Sequence, residues 1–272
     1  MRRSSKTQKM RGFSLIEIMA VLAIMAVLMG FLVPMVFNRV NAARVEATET
    51  EVERIFKAIV GDPSKENFGY LGDMGRLPAN LTELFVRGTQ TAFHTADGVV
   101  EHVGGVGTGW RGPYLTGLSQ EDILKDAWGN SYDYSNTGGS AGQIRSPGPD
   151  KDINVTSDNI VFPADLPVGT TGTLVVHVLV NDIPQPTGLT VEVFTTDSTG
   201  EQVKRAGTDG TQTTAAQGST PFRFTVPHGV SVIKVTHLSA GVTVTRTVNV
   251  GVAANTQVER RIIMKTTATV AM

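Results

Sequence analysis

Oxygen-bearing side chains stand at every second position of the stretch SPGPDKDINVTSDNI, residues 146–160: Asp150, Asp152, Asn154, Thr156 and Asp158. Hard oxygen donors are what Ca2+ requires, so the pattern can hold that cation. It is not an EF-hand loop, because Asn154 is not followed by glycine and Val161 stands where the bidentate glutamate belongs. Asx-rich turns that hold no metal have the same spacing, and the residues by themselves leave both readings open. A different carboxylate, Glu17, poses a separate question, since it is the only ionisable side chain in residues 13–37. At the centre of a membrane-spanning helix a carboxylate costs about 2.5–3.5 kcal/mol, and less near the interface, where Glu17 can snorkel. If the chain is cut after Gly12, the new α-ammonium of Phe13 lies four residues from Glu17. A helix presents both groups on one face, and an amine and a carboxylate can then pair within one chain or between neighbours.

These groups need elements to position them. Residues 13–37 number 25, and at about 1.5 Å per residue such a helix reaches roughly 37 Å, more than the ~30 Å hydrocarbon thickness of a bilayer. Ahead of it, residues 1–12 carry Arg2, Arg3, Lys6, Lys9 and Arg11 and no acid, which predicts a cytoplasmic amino terminus and an exported carboxyl-terminal bulk. No small-residue cleavage site follows the apolar run, so the helix is expected to be retained. Beyond Pro34 the pattern turns amphipathic: Val45, Thr48, Val52, Ile55, Phe56 and Ile59 recur at three- and four-residue steps among charged residues. Gly61-Asp62-Pro63 predicts the stop. Pro34 predicts an interruption of this long helix, through a lost hydrogen bond and a ring clash.

The residues Gly12-Phe13-Ser14-Leu15-Ile16-Glu17, with a short basic leader before them and an apolar helix holding Pro34 after them, resemble the processing motif of the type IV pilin and pseudopilin superfamily. The resemblance implies cleavage after Gly12 by a prepilin peptidase, N-methylation of Phe13, and pairing of Glu17 with the terminal amine of an adjacent subunit to set filament register. Register is the best-attested use of a buried ion pair. DMGRLPANLTELF (residues 73–85), GWRGPYLTG (109–117) and ILKDAWGNSYDY (123–134) are similar to successive landmarks of the major pseudopilin of type II secretion systems, with Ala127 where that family commonly has proline. Leu81 and Leu84 read as a short helix docking apolar residues, and Trp110, Tyr114 and Trp128 as packing aromatics. Major pseudopilins hold a calcium ion in their carboxyl-terminal loop. On that resemblance Asp150, Asp152 and Asp158 are the side-chain ligands of a Ca2+ whose shell backbone carbonyls complete.

Past Phe162 six strand-like runs, TLVVHVLV, LTVEVFTT, FRFTVPHG, VSVIKVTHL, VTVTRTVNVG and QVERRIIM, alternate in part at period two between turn residues. They predict an antiparallel β-sandwich, immunoglobulin-like or prealbumin-like in general appearance, which lies outside the usual major pseudopilin. The expected fold class is therefore α+β. Its parts are a leader (1–12), a transmembrane and polymerisation helix (13–37), a pilin-like domain (38–162) and the sandwich (163–272).

At 272 residues with 29 glycines and no cysteine, the chain is long enough for two domains and depends on packing or metal for extracytoplasmic stability. Loss of the leader takes five positive charges and moves the formal net charge from −1 to −6, which gives no reason to expect nucleic-acid binding. His94, His102, His177, His228 and His237 show no metalloprotease spacing, GGVGTGWRG lacks the Lys-Ser/Thr of a phosphate loop, and no nucleophile sits on an elbow. The expectation is a non-enzymatic, single-pass protein of the bacterial inner membrane with periplasmic domains. Two readings compete for it. One is a structural subunit of a type II secretion pseudopilus, a homopolymer served by prepilin peptidase, minor pseudopilins and an inner-membrane assembly platform. The other is a pilin-like subunit that displays the sandwich as an adhesive or ligand-binding module.

Overall fold

The computed structural model describes residues 14–95, 103–117, 123–165, 167–184, 188–205, 221–239 and 241–265. The leader, Gly12, Phe13 and His102 lie outside them. The chain divides into two units, Met1–Ala47 and Thr48–Met272.

Helix α1 spans Leu15–Val60. Its first part is bare: Leu15, Ile16, Met19, Leu22, Phe31 and Phe37 are all exposed, and the helix is long and apolar enough to cross a membrane. Bare apolar side chains along a whole helix are costly in water and favourable in lipid. The helix passes through Pro34 without interruption, contrary to the break predicted from that residue. Proline forfeits one hydrogen bond and its ring presses on the carbonyl four residues earlier. Here that residue is Gly30, and the helix continues on both sides of Pro34 over the whole of Leu15–Val60.

In the second unit α1 buries Thr48, Val52, Ile55, Ala58 and Ile59, the apolar stripe that the three- and four-residue spacing marks. These side chains share a core with Tyr70 and Leu71 of α2 (Gly69–Met74), with Leu81 and Leu84 of a 3₁₀ turn, and with Ile123 and Ile144. Trp110 and Tyr114 pack against this core, and the Trp110 indole N–H donates to the Glu83 carbonyl at 2.8 Å. Beneath it lies a three-stranded antiparallel sheet in the order β1 (Asp133–Tyr134), β2 (Ile144–Ser146), β3 (Ile160–Phe162). The acidic stretch is thus the connection between β2 and β3, anchored by the pairing of Ser146 with Ile160.

The rest of the chain forms β4 (Thr171–Val180), β5 (Ile183–Pro184), β6 (Leu189–Thr196), β7 (Gln202–Arg205), β8 (Phe222–Pro227), β9 (Gly229–Ser239), β10 (Val242–Val252) and β11 (Gln257–Met264). One sheet runs β10-β9-β6-β7; the other holds β4 between β11 on one side and β8 and β5 on the other. A second core lies among them, including Leu174, Val176, Val178, Val191, Phe222, Phe224, Ile233 and Ile262. Period-two alternation dictates this: on β8, Phe222, Phe224 and Val226 are buried while Arg223 and Thr225 are exposed. The sandwich is not wholly antiparallel, because β11 pairs parallel to β4 over Gln257↔Thr173 to Met264↔Val180. Between β10 and β11 the chain changes sheets instead of turning back on itself. Asn255 donates to the Thr171 carbonyl and Thr173 to the Thr256 carbonyl, both at 2.8 Å, which starts β11 beside the start of β4. The fold class is α+β, a long apolar amino-terminal helix followed by a mostly β region with several sheets.

Where the two cores meet, the His228 ring is held on both nitrogens. Nε2 donates to the carbonyl of Val60, the last residue of α1, at 2.8 Å, and Nδ1 accepts from the Ala254 N–H at 3.0 Å. Phe68 meets the same ring edge-on at 5.2 Å. Burial pushes the His228 pKa down, against the hydrogen bonds to Val60 and Phe68 backbone that raise it.

Candidate functional site

Two places carry the residues singled out by type and spacing. The first is the start of α1. Ser14 stands immediately ahead of the helix, and its Oγ accepts the Glu17 N–H at 3.4 Å while its carbonyl accepts from Glu17 and Ile18 at 3.1 and 3.2 Å. Ser-x-x-Glu is the spacing of a capping box, in which the serine satisfies an otherwise orphaned amide of the first turn. Sequence inspection for membrane crossing passes over Ser14, although the spacing is visible there. The cap starts the helix at Leu15, so that Glu17 stands in the first turn. A carboxylate there complements the positive end of the helix dipole. Glu17 and Pro34 both face outward from this unit, among exposed apolar side chains.

The second place is the β2–β3 connection. Its base is held by Asp126, which is buried. Asp126 Oδ1 accepts the backbone N–H groups of Trp128 and Asn130 at 3.0 and 2.8 Å, and Oδ2 accepts from Asn130 Nδ2 at 3.0 Å and from the Ser146 hydroxyl at 2.7 Å. Asn130 Nδ2 also donates to the Gly148 carbonyl at 2.9 Å, and Ser146 Oγ accepts the Gly148 N–H at 3.1 Å. One buried carboxylate thus ties the DAWGN turn to the first residues of the acidic loop. Gly148 itself has φ +72°, and a Cβ there would lie 2.5 Å from the Asp158 carbonyl oxygen. Only glycine takes that backbone conformation freely and lets the two ends of the loop approach so closely.

Within the loop the side chains accept backbone N–H groups in turn: Asp152 donates to Asp150 Oδ1 at 2.8 Å, and Asn154 to Asp152 Oδ1 at 3.0 Å. These are Asx turns. Asp150 and Asp158 come together through the Asp150 N–H and Asp158 Oδ2 at 3.3 Å. Asp152 joins them only through its bond to Asp150, and among the described residues no three Asp, Glu, His or Cys side chains converge as a metal-binding group. Two oxygens nevertheless lack partners. Asp158 Oδ1 and Asn159 Oδ1 are buried and accept no hydrogen bond among the described residues. The Asn159 amide is oriented by Nδ2, which donates to the Ile153 carbonyl at 2.9 Å, and this leaves its oxygen as the orphan. Adjacent buried acceptors without donors are costly unless a cation or water completes them. Both are hard oxygen donors of the kind a cation accepts, and no metal-binding group of acidic, histidine or cysteine side chains gathers with them among the described residues. Asn159 was absent from the alternating pattern, which falls on even-numbered positions.

Among the described residues the histidines form no metal-binding group. His94 Nε2 lies 3.0 Å from Glu201, His177 lies 4.0 Å from Glu259, and His237 is buried. Beside α2, Asp73 accepts the Tyr114 hydroxyl at 3.0 Å and pairs with Arg111 at 3.1 Å. Burial raises the Asp73 pKa against the opposing pull of Arg111 and Tyr114. This is a structural pairing that fixes the GWRGPYLTG segment on the core.

Compared with known proteins, residues 7–33 match the family described as the prokaryotic N-terminal methylation motif. The match covers the basic leader's end, Gly12, Phe13, Glu17 and most of the apolar run. The chain therefore carries a type IV pilin-like prepilin signal on a long apolar amino-terminal helix. The motif implies processing by a prepilin peptidase and membrane-associated filament assembly, suggests a structural protein, and fits anchoring in the inner membrane. No curated protein matches the chain.

Proposed function

We propose that the protein is a structural subunit of a type II secretion pseudopilus, cleaved after Gly12, methylated on Phe13 and polymerised through residues 13–37, whose assembly helps export folded proteins. The observation that carries this reading is the prepilin signal at residues 7–33 running directly into a helix whose apolar side chains are bare on all sides. Such a surface is stable in lipid and, once withdrawn from it, only against other copies of itself. In the polymer Glu17 pairs with the terminal ammonium of a neighbouring Phe13 and sets the axial position of each subunit. Minor pseudopilins and an inner-membrane assembly platform are the further partners, and residues beyond the helix are periplasmic. The landmarks at residues 73–85, 109–117 and 123–134 favour the secretion system over a surface pilus.

The loop between β2 and β3 binds Ca2+ in this reading. Asp158 supplies the buried carboxylate oxygen, Asn159 an amide oxygen, and Asp150 and Asp152 complete the acidic side with backbone carbonyls. The ion offsets the repulsion of clustered carboxylates and closes a loop that has little apolar surface to bury.

The sandwich of β4–β11 favours a second reading, a sparse display subunit that presents it as a binding module. Abundance separates the two, because a filament-building subunit is plentiful. The deciding experiment replaces Glu17 by Leu in cells otherwise lacking the protein. The variant monomer is expected in the membrane fraction, with filaments absent and exported proteins retained in the periplasm. Normal filaments and normal export by Glu17→Leu would refute the assembly role, and normal export in cells without the protein would refute the secretion role.

A further inference from the structure

The edges of the two sandwich sheets are guarded unequally. Among the described residues, β5 has two residues and includes Pro184, β7 has four and carries Lys204 and Arg205, β8 ends in Pro227, and β11 carries Glu259, Arg260 and Arg261. Short length, proline and charge are the ordinary means of keeping an edge from pairing with another chain. Strand β10 has none of these except Arg246. It pairs with β9 through eleven consecutive residues without a bulge, Val242↔Ser239 to Val252↔Gly229, and pairs with no described strand on its other side. The result is a long, regular, nearly uncharged row of backbone donors and acceptors.

The sequence of that row, VTVTRTVNVGV, is self-complementary when laid antiparallel on itself about Thr247. Val242 then faces Val252, Val244 faces Val250, Thr245 faces Asn249, and Thr247 faces its own copy. The single charge, Arg246, faces Val248, has the second copy's arginine on the diagonal of the same face, and donates through its guanidinium to the Ile263 carbonyl of its own chain. On one face Val242–Val252 and Val244–Val250 are β-branched, apolar pairs beside Arg246–Val248, and on the other Thr245–Asn249 and Thr247–Thr247 bring hydroxyl groups together with an amide that also donates to the Gly104 carbonyl at 3.3 Å. A register centred on Arg246 would set two guanidinium groups directly opposite each other, which the Thr247 register avoids, and the Val–Val and Thr–Asn pairs favour Thr247.

We propose that the free edge of β10 is a docking surface for the β10 of a second copy of this chain, joined antiparallel about Thr247 into a continuous eight-stranded sheet. Such a contact is isologous and closes at two copies. A polar filament built by one repeated rotation and rise has no two-fold relating its neighbours. The β10 contact therefore joins unassembled subunits in the membrane, or subunits of separate filaments, and is independent of the polymer that the Glu17 helix builds.

The absence of native cysteine allows a direct test on the full chain in detergent micelles. In the proposed register the two Thr247 Cα atoms lie about 4.5–5.5 Å apart, within the range a disulfide spans. The two Thr243 Cα atoms lie on the order of 27 Å apart, eight residues along the strand. Both threonines are exposed, so a thiol at either place reacts with maleimide. Under mild oxidation Thr247→Cys is expected to give a disulfide-linked dimer in most of the sample and Thr243→Cys at least tenfold less. The same result is expected in a Glu17→Leu background, which separates this contact from the helix-driven polymer. Maleimide-reactive Thr247→Cys that stays monomeric would overturn the proposal, as would equal cross-linking by the two variants or loss of cross-linking with Glu17→Leu.

Discussion

Replacement of Asp126 by Ala tests whether the acidic loop is held from below. The carboxylate accepts four hydrogen bonds at 2.7–3.0 Å, from two backbone amides, the Asn130 amide and the Ser146 hydroxyl, and Ser146 is fully buried. Hydrogen bonds to a charged acceptor contribute about 1.5–3 kcal/mol each, and a buried donor left without a partner costs about 1–3 kcal/mol. Bonds sharing one acceptor are not additive, and the two backbone amides regain water, so a net loss of about 3–5 kcal/mol is expected. For a unit of this size each kcal/mol lowers the melting temperature by about 2–4 °C, which gives a drop of about 6–20 °C. Ser146→Ala removes one of the four donors and the acceptor of the Gly148 N–H, for about 1–2 kcal/mol. Because Ser146 and Asp126 share a bond, the double variant should lose at least about 1 kcal/mol less than the sum of the singles. Thermal unfolding of the processed chain in detergent, followed by near-ultraviolet circular dichroism, measures all three, and limited proteolysis locates the loosening at residues 147–159. An Asp126→Ala protein that melts within ~2 °C of the parent, or singles that simply add, would refute the argument.

Further outcomes follow from the same structure. Gly12→Val puts a β-branched side chain at the scissile bond, where glycine permits close approach, and is expected to leave the leader attached; intact mass spectrometry of membrane-extracted protein checks this. Millimolar Ca2+ is expected to raise the melting temperature relative to excess EGTA, since a ligand a hundredfold above its dissociation constant contributes about 2.7 kcal/mol. Asp150→Ala with Asp158→Ala should abolish that difference, and identical melting of the parent in both conditions would eliminate the site. His228 has a folded pKa pushed below its ordinary 6.5 by burial, so the folded state resists the proton that the unfolded state takes up. Its contribution is complete above about pH 6.5 and declines as pH falls below that toward the depressed folded value. Melting temperatures at pH 7.5 and 5.5 should therefore differ more for the parent than for His228→Gln.

Much of the molecule is legible in residue order because it depends on local periodicity. The spacing of Val52, Ile55 and Ile59 marks the buried stripe of α1, and strands β4, β6, β8, β9, β10 and β11 fall on the six alternating runs to within about two residues. Strands β5 and β7 escape notice because two and four residues are too short for a period to register. The continuity of α1 at Pro34 is not legible from that residue, because a helix of 46 residues tolerates the loss of one hydrogen bond that would end a short one.

The sequence by itself determined that the chain carries a prepilin signal, Gly12, Phe13 and Glu17 in fixed order ahead of an apolar helix, because cleavage and insertion are read from a linear segment. It also determined that oxygen donors crowd residues 146–160. Only the tertiary structure decided which of them lack partners. The alternation named Asp150, Asp152 and Asp158, while folding satisfied Asp150 and Asp152 with backbone amides and left Asp158 Oδ1 and Asn159 Oδ1 buried and bare. It likewise decided that Asp126, twenty residues before Ser146, supports the loop, that β11 lies parallel to β4, and that β10 is a sheet-terminal strand with no further partner among the described strands. Each of these depends on contacts between segments far apart in the chain. Burial removes water as an alternative partner there, and only the completed packing settles which polar groups are paired.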